Sequence, residues 1–509
     1  MFMYMAAPSA SPVEDNSIGW LSEEWISHRF CHDSRKSSFK NSTNSLEINT
    51  GLSHSGVMPI YVNRLLNLKK IKVVGFDMDY TLVPYKIEKF EKLAHSLAIN
   101  RLVQNYSYPQ EVGKLEFQLN RAILGLVIDK RNGNMLKLSR FGKVKIAYHG
   151  LEEIDFRERQ QIYRERVIDL RDADFQSLDT PFAISNGVLF AQVVQLKKAG
   201  MKLPDYRHLA CEISACIDSL HKDGTLKSIL KADFGEYVRR DPQAAPTLER
   251  LKVYGKKLMI ITNSDYAYSR ILLDYALNPF LTKHKNWQEL FDLVITLADK
   301  PKFFASPHRF LRINIKTGQM SNHEGPISRG IWQGGWFGDV QEGMGIPGDE
   351  FLYLGDHIYG DVVSIKKLCD WRTALILNGL DDELKGIKAT HEIQQEIDRL
   401  MKRKQFLERQ SDNAELEHHT GNRVQNFETQ ADEQDALNFR ISKLLDNLKP
   451  HFNPYWGEIF RAGIEESRYA EQVEKYACIY MTKVSDLFEY SPRTYFRPIR
   501  RLLAHEIIQ

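Results

Sequence analysis

A doubly wound α/β fold built on a parallel sheet is predicted by three features of the 509-residue sequence. Short apolar runs end abruptly in polar clusters, helical stretches lie between them, and one interval between runs is far longer than a crossover helix needs. The first run, Ile71 to Phe76, has almost no polar interruption, as strands covered on both faces tend to have. Later runs end at Ile261, near Leu297 and at Leu354, and "WRTALIL" at 371–377 supplies a fifth. Four of the five run into polar residues at their carboxyl ends, where a parallel sheet opens onto its ligand crevice. "SRILLDYAL" and "YGDVVSIKKL" supply helices between strands.

These runs divide the chain. Residues 1–57 are rich in Ser, Asn and His and bury too little apolar surface to offset their ordering entropy, so a flexible tail is expected. Residues 58–98 and 250–385 form the sheet-bearing core, with "YVNRLLNLKK" read as helical. Residues 99–249 carry their own strand-like and helical pieces and read as an inserted cap. In 386–450, Ile393, Ile397, Leu400, Leu437, Ile441, Leu444 and Leu448 recur at three- and four-residue spacing, the pattern of a charged, coiled-coil-like helical pair. Residues 451–509 read as a helical segment packing on the core, led by a helix over "EESRYAEQVEKYACIYMTKVSDLFEY".

Composition narrows the function. Sixty-nine basic against 66 acidic side chains give a net charge of +3, too balanced for a polyanion partner, so neither nucleic acid nor membrane is expected. The five cysteines include no C-x-x-C pair, which argues against a disulfide framework or a zinc finger and for a reducing cytoplasm. No run of about 18 apolar residues suggests a membrane span.

The polar clusters carry the chemistry. Phosphoryl transfer to water needs a nucleophile, a proton donor, a cation and fixed donors for the equatorial oxygens. Asp77 and Asp79, one residue apart after the first strand, suit the first two roles, one forming the bond and the other moving the proton. Asp356 and Asp361, with Asp77, offer an all-oxygen site of the kind Mg²⁺ takes, and His357 between them is given a structural role or one behind the metal ligands. Thr262 and Asn263 end the second strand, with a hydroxyl and N–H groups for a phosphoryl oxygen, and Lys300 supplies a point charge.

The order D-M-D-Y-T, T-N-S, lysine, G-D-x-x-x-x-D resembles the haloacid dehalogenase superfamily of phosphohydrolases. The longer segments "GFDMDYTLVPYK", "GLVIDKRNGNMLKL", "ITNSDYAYS", "DKPKFF", "GPISRGIWQGG" and "SPRTYFRPIRRLLAHE" resemble the cytosolic purine 5′-nucleotidase family, in particular its bacterial IMP/GMP-specific members, over roughly residues 58–509. The resemblance implies Mg²⁺-dependent hydrolysis of 6-oxopurine nucleoside 5′-monophosphates through a phosphoaspartate. It makes Asp77 the nucleophile, Asp79 the acid/base whose carbonyl also meets the metal, Thr262 and Lys300 phosphate contacts, and Asp356 a metal ligand supported by Asp361. Asn263 and Ser264 fall on the substrate side, with Phe182 stacking on the base and Asp218, His221 and Lys227 contacting base and sugar. Ser214 departs from the arginine of animal members. The resemblance further implies a homo-oligomer, a dimer or tetramer, and transfer of the phosphoryl group to nucleosides as well as water. Two other readings are a phosphatase or phosphotransferase for another small phosphate ester, and an inactive interaction protein on the same fold.

Overall fold

The structure, a computed structural model, describes residues 60–419 and 427–506; the expected tail, 1–57, lies outside them. A ten-stranded sheet runs in the order Tyr61–Val62, Ile479–Met481, Arg372–Ile376, Phe351–Gly355, Val73–Phe76, Lys257–Ile261, Leu293–Thr296, Gly330–Gly334, Phe310–Ile313, Met320–His323. Every pairing from Ile479–Met481 to Gly330–Gly334 is parallel, and the outer pairings are antiparallel. All five predicted runs are strands of this sheet.

Their unbroken hydrophobicity follows from burial on both faces. Val74, Phe76, Leu258, Ile260, Leu352 and Leu354 belong to one core. Their strand neighbours Val73, Met259, Ile261, Phe351 and Tyr353 belong to another. Between Met259 and Tyr353 there is room only for Gly75, since a Cβ there would come within 2.6 and 2.8 Å of those side chains.

The long interval after Phe76 holds the helix Ile87–Asn105, a five-stranded antiparallel sheet from Val127–Asp129 to Phe175–Ser177, and the helices Ile184–Lys198 and Tyr206–Lys222. Ala94, Leu102, Leu189 and Ile213 of those helices share a core with Phe76 and Leu354, so the inserted piece is packed onto the site strands.

Two expectations are corrected near the sheet edge. "YVNRLLNLKK" is not helical: Tyr61–Val62 pairs with Ile479–Tyr480, and Leu66–Asn67 pairs with Tyr495–Phe496. The last helix is Arg468–Tyr476 alone, capped by the Ser467 hydroxyl, after which Ile479–Met481 enters the sheet beside Arg372–Ile376. In both places distant strand partners override local helical preference.

Helices His391–His419 and Phe427–Leu448 lie antiparallel, as the cross-pairs Arg403 with Glu433 and Arg440 with Glu396 require. Ile397, Leu400 and Leu407 are buried on the first and Ile441 on the second, at the heptad spacing of a coiled-coil seam. No helix among the described residues is long and apolar enough to cross a membrane.

Candidate active site

Four adjacent strands, Phe351–Gly355, Val73–Phe76, Lys257–Ile261 and Leu293–Thr296, end together and place the predicted polar residues around one point. Asp77 is still tied to the sheet, its N–H donating to the Leu354 carbonyl at 2.8 Å. The chain then turns sharply, with the Val83 N–H donating to the Met78 carbonyl at 2.9 Å. Tyr80 adopts a left-handed φ of +56°, a conformation that costs a side-chain-bearing residue about 1 kcal/mol or more. Asn378 offsets this by donating to the Tyr80 carbonyl at 2.9 Å.

Lys300 sits in the middle of the charge. Its Nζ lies 2.9 Å from Asp77 Oδ1 and 2.8 Å from Asp361 Oδ1, and it donates to the Tyr353 hydroxyl at 3.1 Å. Tyr353 is itself anchored, its hydroxyl donating to the Ile261 carbonyl at 2.8 Å. Asp361 reaches this position because Gly355 leaves space: a Cβ there would lie 2.3 Å from that of Asp361. The aspartate lies within a wide π-helical turn, Ile358–Val363, that His357 caps by accepting the Gly360 N–H at 3.2 Å. The structural role expected for His357 is the one seen here.

Asp77, Asp356 and Asp361 each offer an oxygen within 4.8 Å of the others. Burial pushes the Asp77 carboxyl up to about 7, repulsion from Asp361 and Asp79 adds to this, and Lys300 opposes it. Asp356 is likewise raised, by burial and by repulsion from Asp77 and Asp361. Among the described residues it accepts only from two neutral hydroxyls, Thr81 to Oδ1 at 3.2 Å and Thr180 to Oδ2 at 3.0 Å. Three converging carboxylates against one lysine leave negative charge in excess on hard oxygen donors, and such a set fits a divalent cation. Asp77, Asp356 and Asp361 are the carboxylates that would hold it. The Asp79 carboxyl stands outside this set.

Asp79 is held by different partners. Tyr85 donates to Oδ1 at 2.6 Å and Ser264 to Oδ2 at 2.9 Å. Burial raises its pKa while these hydroxyls and Lys227 hold it down. Lys227 pairs with Asp265 at 2.7 Å, and Asp265 caps the helix Tyr266–Ala276 through the Tyr268 N–H. Thr262 is fully buried, its N–H on the Ile295 carbonyl and its hydroxyl accepting the Ser264 N–H at 3.1 Å. Asn263 brackets the Lys300 backbone, accepting its N–H at 2.7 Å and donating to its carbonyl at 3.1 Å. Two carboxylates one residue apart thus have opposite settings, Asp77 against a cation and Asp79 among hydroxyl donors.

Residues 60–508 match the model of the 5′ nucleotidase family. This chain belongs to the 5′ nucleotidase family. A 5′-nucleotidase domain-containing protein of Dictyostelium discoideum is 27% identical over 456 residues, covering 88% of this chain and 74% of that one. Among solved structures, a predicted phosphoglycolate phosphatase of Haemophilus somnus shares 14% identity over 60% of this chain and 85% of its own, with a TM-score of 0.27. An archaeal β-phosphoglucomutase of Pyrococcus shares 13% over 60% and 85%, with a TM-score of 0.29. Scores this low carry no argument, so the α/β assignment rests on the sheet itself. By its family the chain is an enzyme of phosphate-ester hydrolysis, a 5′-nucleotidase.

In this 5′-nucleotidase the inserted piece brings an aromatic cluster to the site. Phe182 packs edge-on against Tyr80 at 4.6 Å, Phe90 at 5.3 Å and His221 at 5.2 Å between ring centroids. Burial and the nearby Lys227 lower His221 to about 4, so its ring is neutral near pH 7. Asp218 is not gathered in: it is exposed on the helix Tyr206–Lys222 and makes no hydrogen bond or ion pair among the described residues. Ser214 joins Gln176 and Asn186, accepting from their amides at 3.1 and 2.8 Å. Sequence reasoning missed Thr81, Tyr85, Tyr353, Thr180 and the fully buried Glu91, which accepts the Ser185 N–H at 2.9 Å behind the aromatic cluster. Only Thr81 carried a signal, as the last residue of D-M-D-Y-T.

Proposed function

We propose that this enzyme hydrolyses purine nucleoside 5′-monophosphates, IMP and GMP foremost, to nucleoside and phosphate through a phosphoaspartate on Asp77, with Mg²⁺ held at the carboxylate cluster. The observation that carries the reading is the division of labour between Asp77 and Asp79. Asp77 is the most open of the clustered carboxylates, its side chain 14% exposed against 2% for Asp361, and so the one a phosphoryl group can reach. Lys300 against Asp77 favours the ionised form of the attacking oxygen, against the effect of burial, and meets the charge that develops on the equatorial oxygens. Asp79, raised by burial and held by the Tyr85 and Ser264 hydroxyls, suits donation of a proton to the ester oxygen and its later recovery from water. The bound cation would neutralise phosphate charge and shield Asp77 from the phosphoryl oxygens. Thr262 and Ser264 lie in the turn between the strand Lys257–Ile261 and the helix Tyr266–Ala276, and their hydroxyls are the groups this turn would offer a phosphoryl oxygen.

Phe182 and the neutral His221 present aromatic surface for a base, and Lys227 stands within reach of the ribose side. A panel of IMP, GMP, AMP, pyrimidine monophosphates and sugar phosphates, with Mg²⁺ present and then chelated, tests the proposal. A best substrate without a purine would transfer the reading to another small phosphate ester, an outcome that the exposed Asp218 favours. Inactivity throughout would favour an interaction protein. Phe182→Ala is expected to raise KM for purine monophosphates by roughly 5- to 150-fold, since stacking is worth about 1 to 3 kcal/mol, and to leave KM for phenyl phosphate within twofold or so. Steady-state kinetics on the two substrates decides it, and equal shifts would return Phe182 to a packing role.

A further inference from the structure

The turn Asp179–Phe182 touches both halves of the site at once. Thr180 donates its hydroxyl to Asp356 Oδ2 at 3.0 Å, and the preceding carbonyl, of Asp179, accepts the Ile358 N–H at 3.4 Å. Two residues on, Phe182 completes the aromatic cluster with Tyr80 and His221. Thr81, from the loop that carries Asp77, holds the opposite oxygen, Oδ1, at 3.2 Å. Asp356 is only 3% exposed, so its rotation is set by these two hydroxyls, one from each half of the molecule. The link from Phe182 to Thr180 is stiff. Pro181 fixes a backbone angle between them, and the Ala183 N–H closes the turn on the Thr180 carbonyl at 2.9 Å.

We propose that Thr180 is a positioning residue that couples binding of a base against Phe182 to the affinity of Asp356 for a divalent cation. A group that orients a metal-binding carboxylate typically changes metal affinity by about 10- to 100-fold. A base seated on Phe182 holds the turn, the turn holds Thr180, and Thr180 holds the carboxylate in its binding orientation. Coupling of this kind is reciprocal: the cation tightens binding of the nucleoside by the factor with which the nucleoside tightens the cation. The inference rests on the reading of Asp356 as a cation ligand.

Calorimetric titration of the full chain with Mg²⁺, alone and with saturating inosine, tests it without turnover, since inosine carries no phosphate. Inosine is expected to tighten Mg²⁺ binding roughly 5-fold or more in the wild type. Thr180→Ala should weaken Mg²⁺ about tenfold and remove the inosine effect, and Thr180→Ser should restore both. Thr180 is half-buried, and unchanged melting of the metal-free variant would exclude a folding defect. Wild-type Mg²⁺ affinity in Thr180→Ala, or coupling that survives it, overturns the role of Thr180 while leaving Asp356 in place. Mg²⁺ binding that survives Asp356→Asn overturns the cation-ligand reading and this inference with it.

Discussion

Asp77→Asn is expected to remove turnover by roughly ten-thousandfold, about 5.4 kcal/mol of barrier, while leaving the fold intact. The amide has almost the carboxylate's shape and can still accept the Met78 N–H, now made to Oδ1 at 2.7 Å. What it lacks is the charge that attacks phosphorus. Stability should move the other way. In the unfolded chain this carboxyl titrates near its ordinary value of 3.8, whereas burial raises it to about 7 in the folded protein. A raised carboxyl contributes stability that is fully present below the unfolded value and is lost as pH rises through the folded one. The amide does not titrate, so the variant should gain on the wild type between about pH 4 and pH 7, with chelator present throughout. Urea unfolding across that range checks the stability, and intact-mass spectrometry after acid quench checks the chemistry. A phosphoryl adduct in the wild type and none in the variant is expected; activity within tenfold of wild type would remove Asp77 as nucleophile.

Most of the carboxylate and lysine cluster of the candidate site was legible because strand ends obey a topological rule. Ile71 to Phe76 shows no alternation, yet a run apolar on both faces is itself the mark of an interior parallel strand, and residues at its carboxyl end belong to the crevice. The same logic found Thr262, Lys300, Asp356 and Asp361 without any knowledge of their neighbours. Thr180 escaped it because a lone threonine in a turn carries no pattern, and its carboxylate partner lies 176 positions away. Tyr85 escaped for a different reason: it reads as core, and it is core, yet its hydroxyl reaches Asp79. The two-residue strands at 61–62 and 66–67 are too short to show a period, and their partners lie more than 400 positions downstream, so helical spacing was read where edge pairing prevailed. Asp218 was placed by resemblance alone, which fixes a position on a helix and not what the side chain meets.

Lys300→Met should cost more stability than any other single change at the site, and in a pH-dependent way. Its ammonium, with a side chain 5% exposed, pairs with Asp77 and Asp361 at 2.9 and 2.8 Å, and these pairings hold its pKa well above the ordinary lysine value despite burial. Methionine fills a similar volume without the charge, leaving Asp77, Asp356 and Asp361 facing one another with no paired counter-ion among the described residues. Removing one partner of a buried ion pair typically costs about 3 to 5 kcal/mol, because the remaining charge is stranded. The stranded groups can escape by taking protons. The folded pKa values of Asp77 and Asp356, already raised, would rise further above the unfolded value, so the loss should be small near pH 4 and grow as pH rises toward 8. Urea unfolding at pH 5 and pH 8, with chelator present, reads this directly, and an equal loss at both would show that the lysine acts through packing rather than charge. Activity with Mg²⁺ restored should still fall about a hundredfold or more, because a cation bound to the carboxylates cannot also take the place from which Lys300 meets the transferring oxygens.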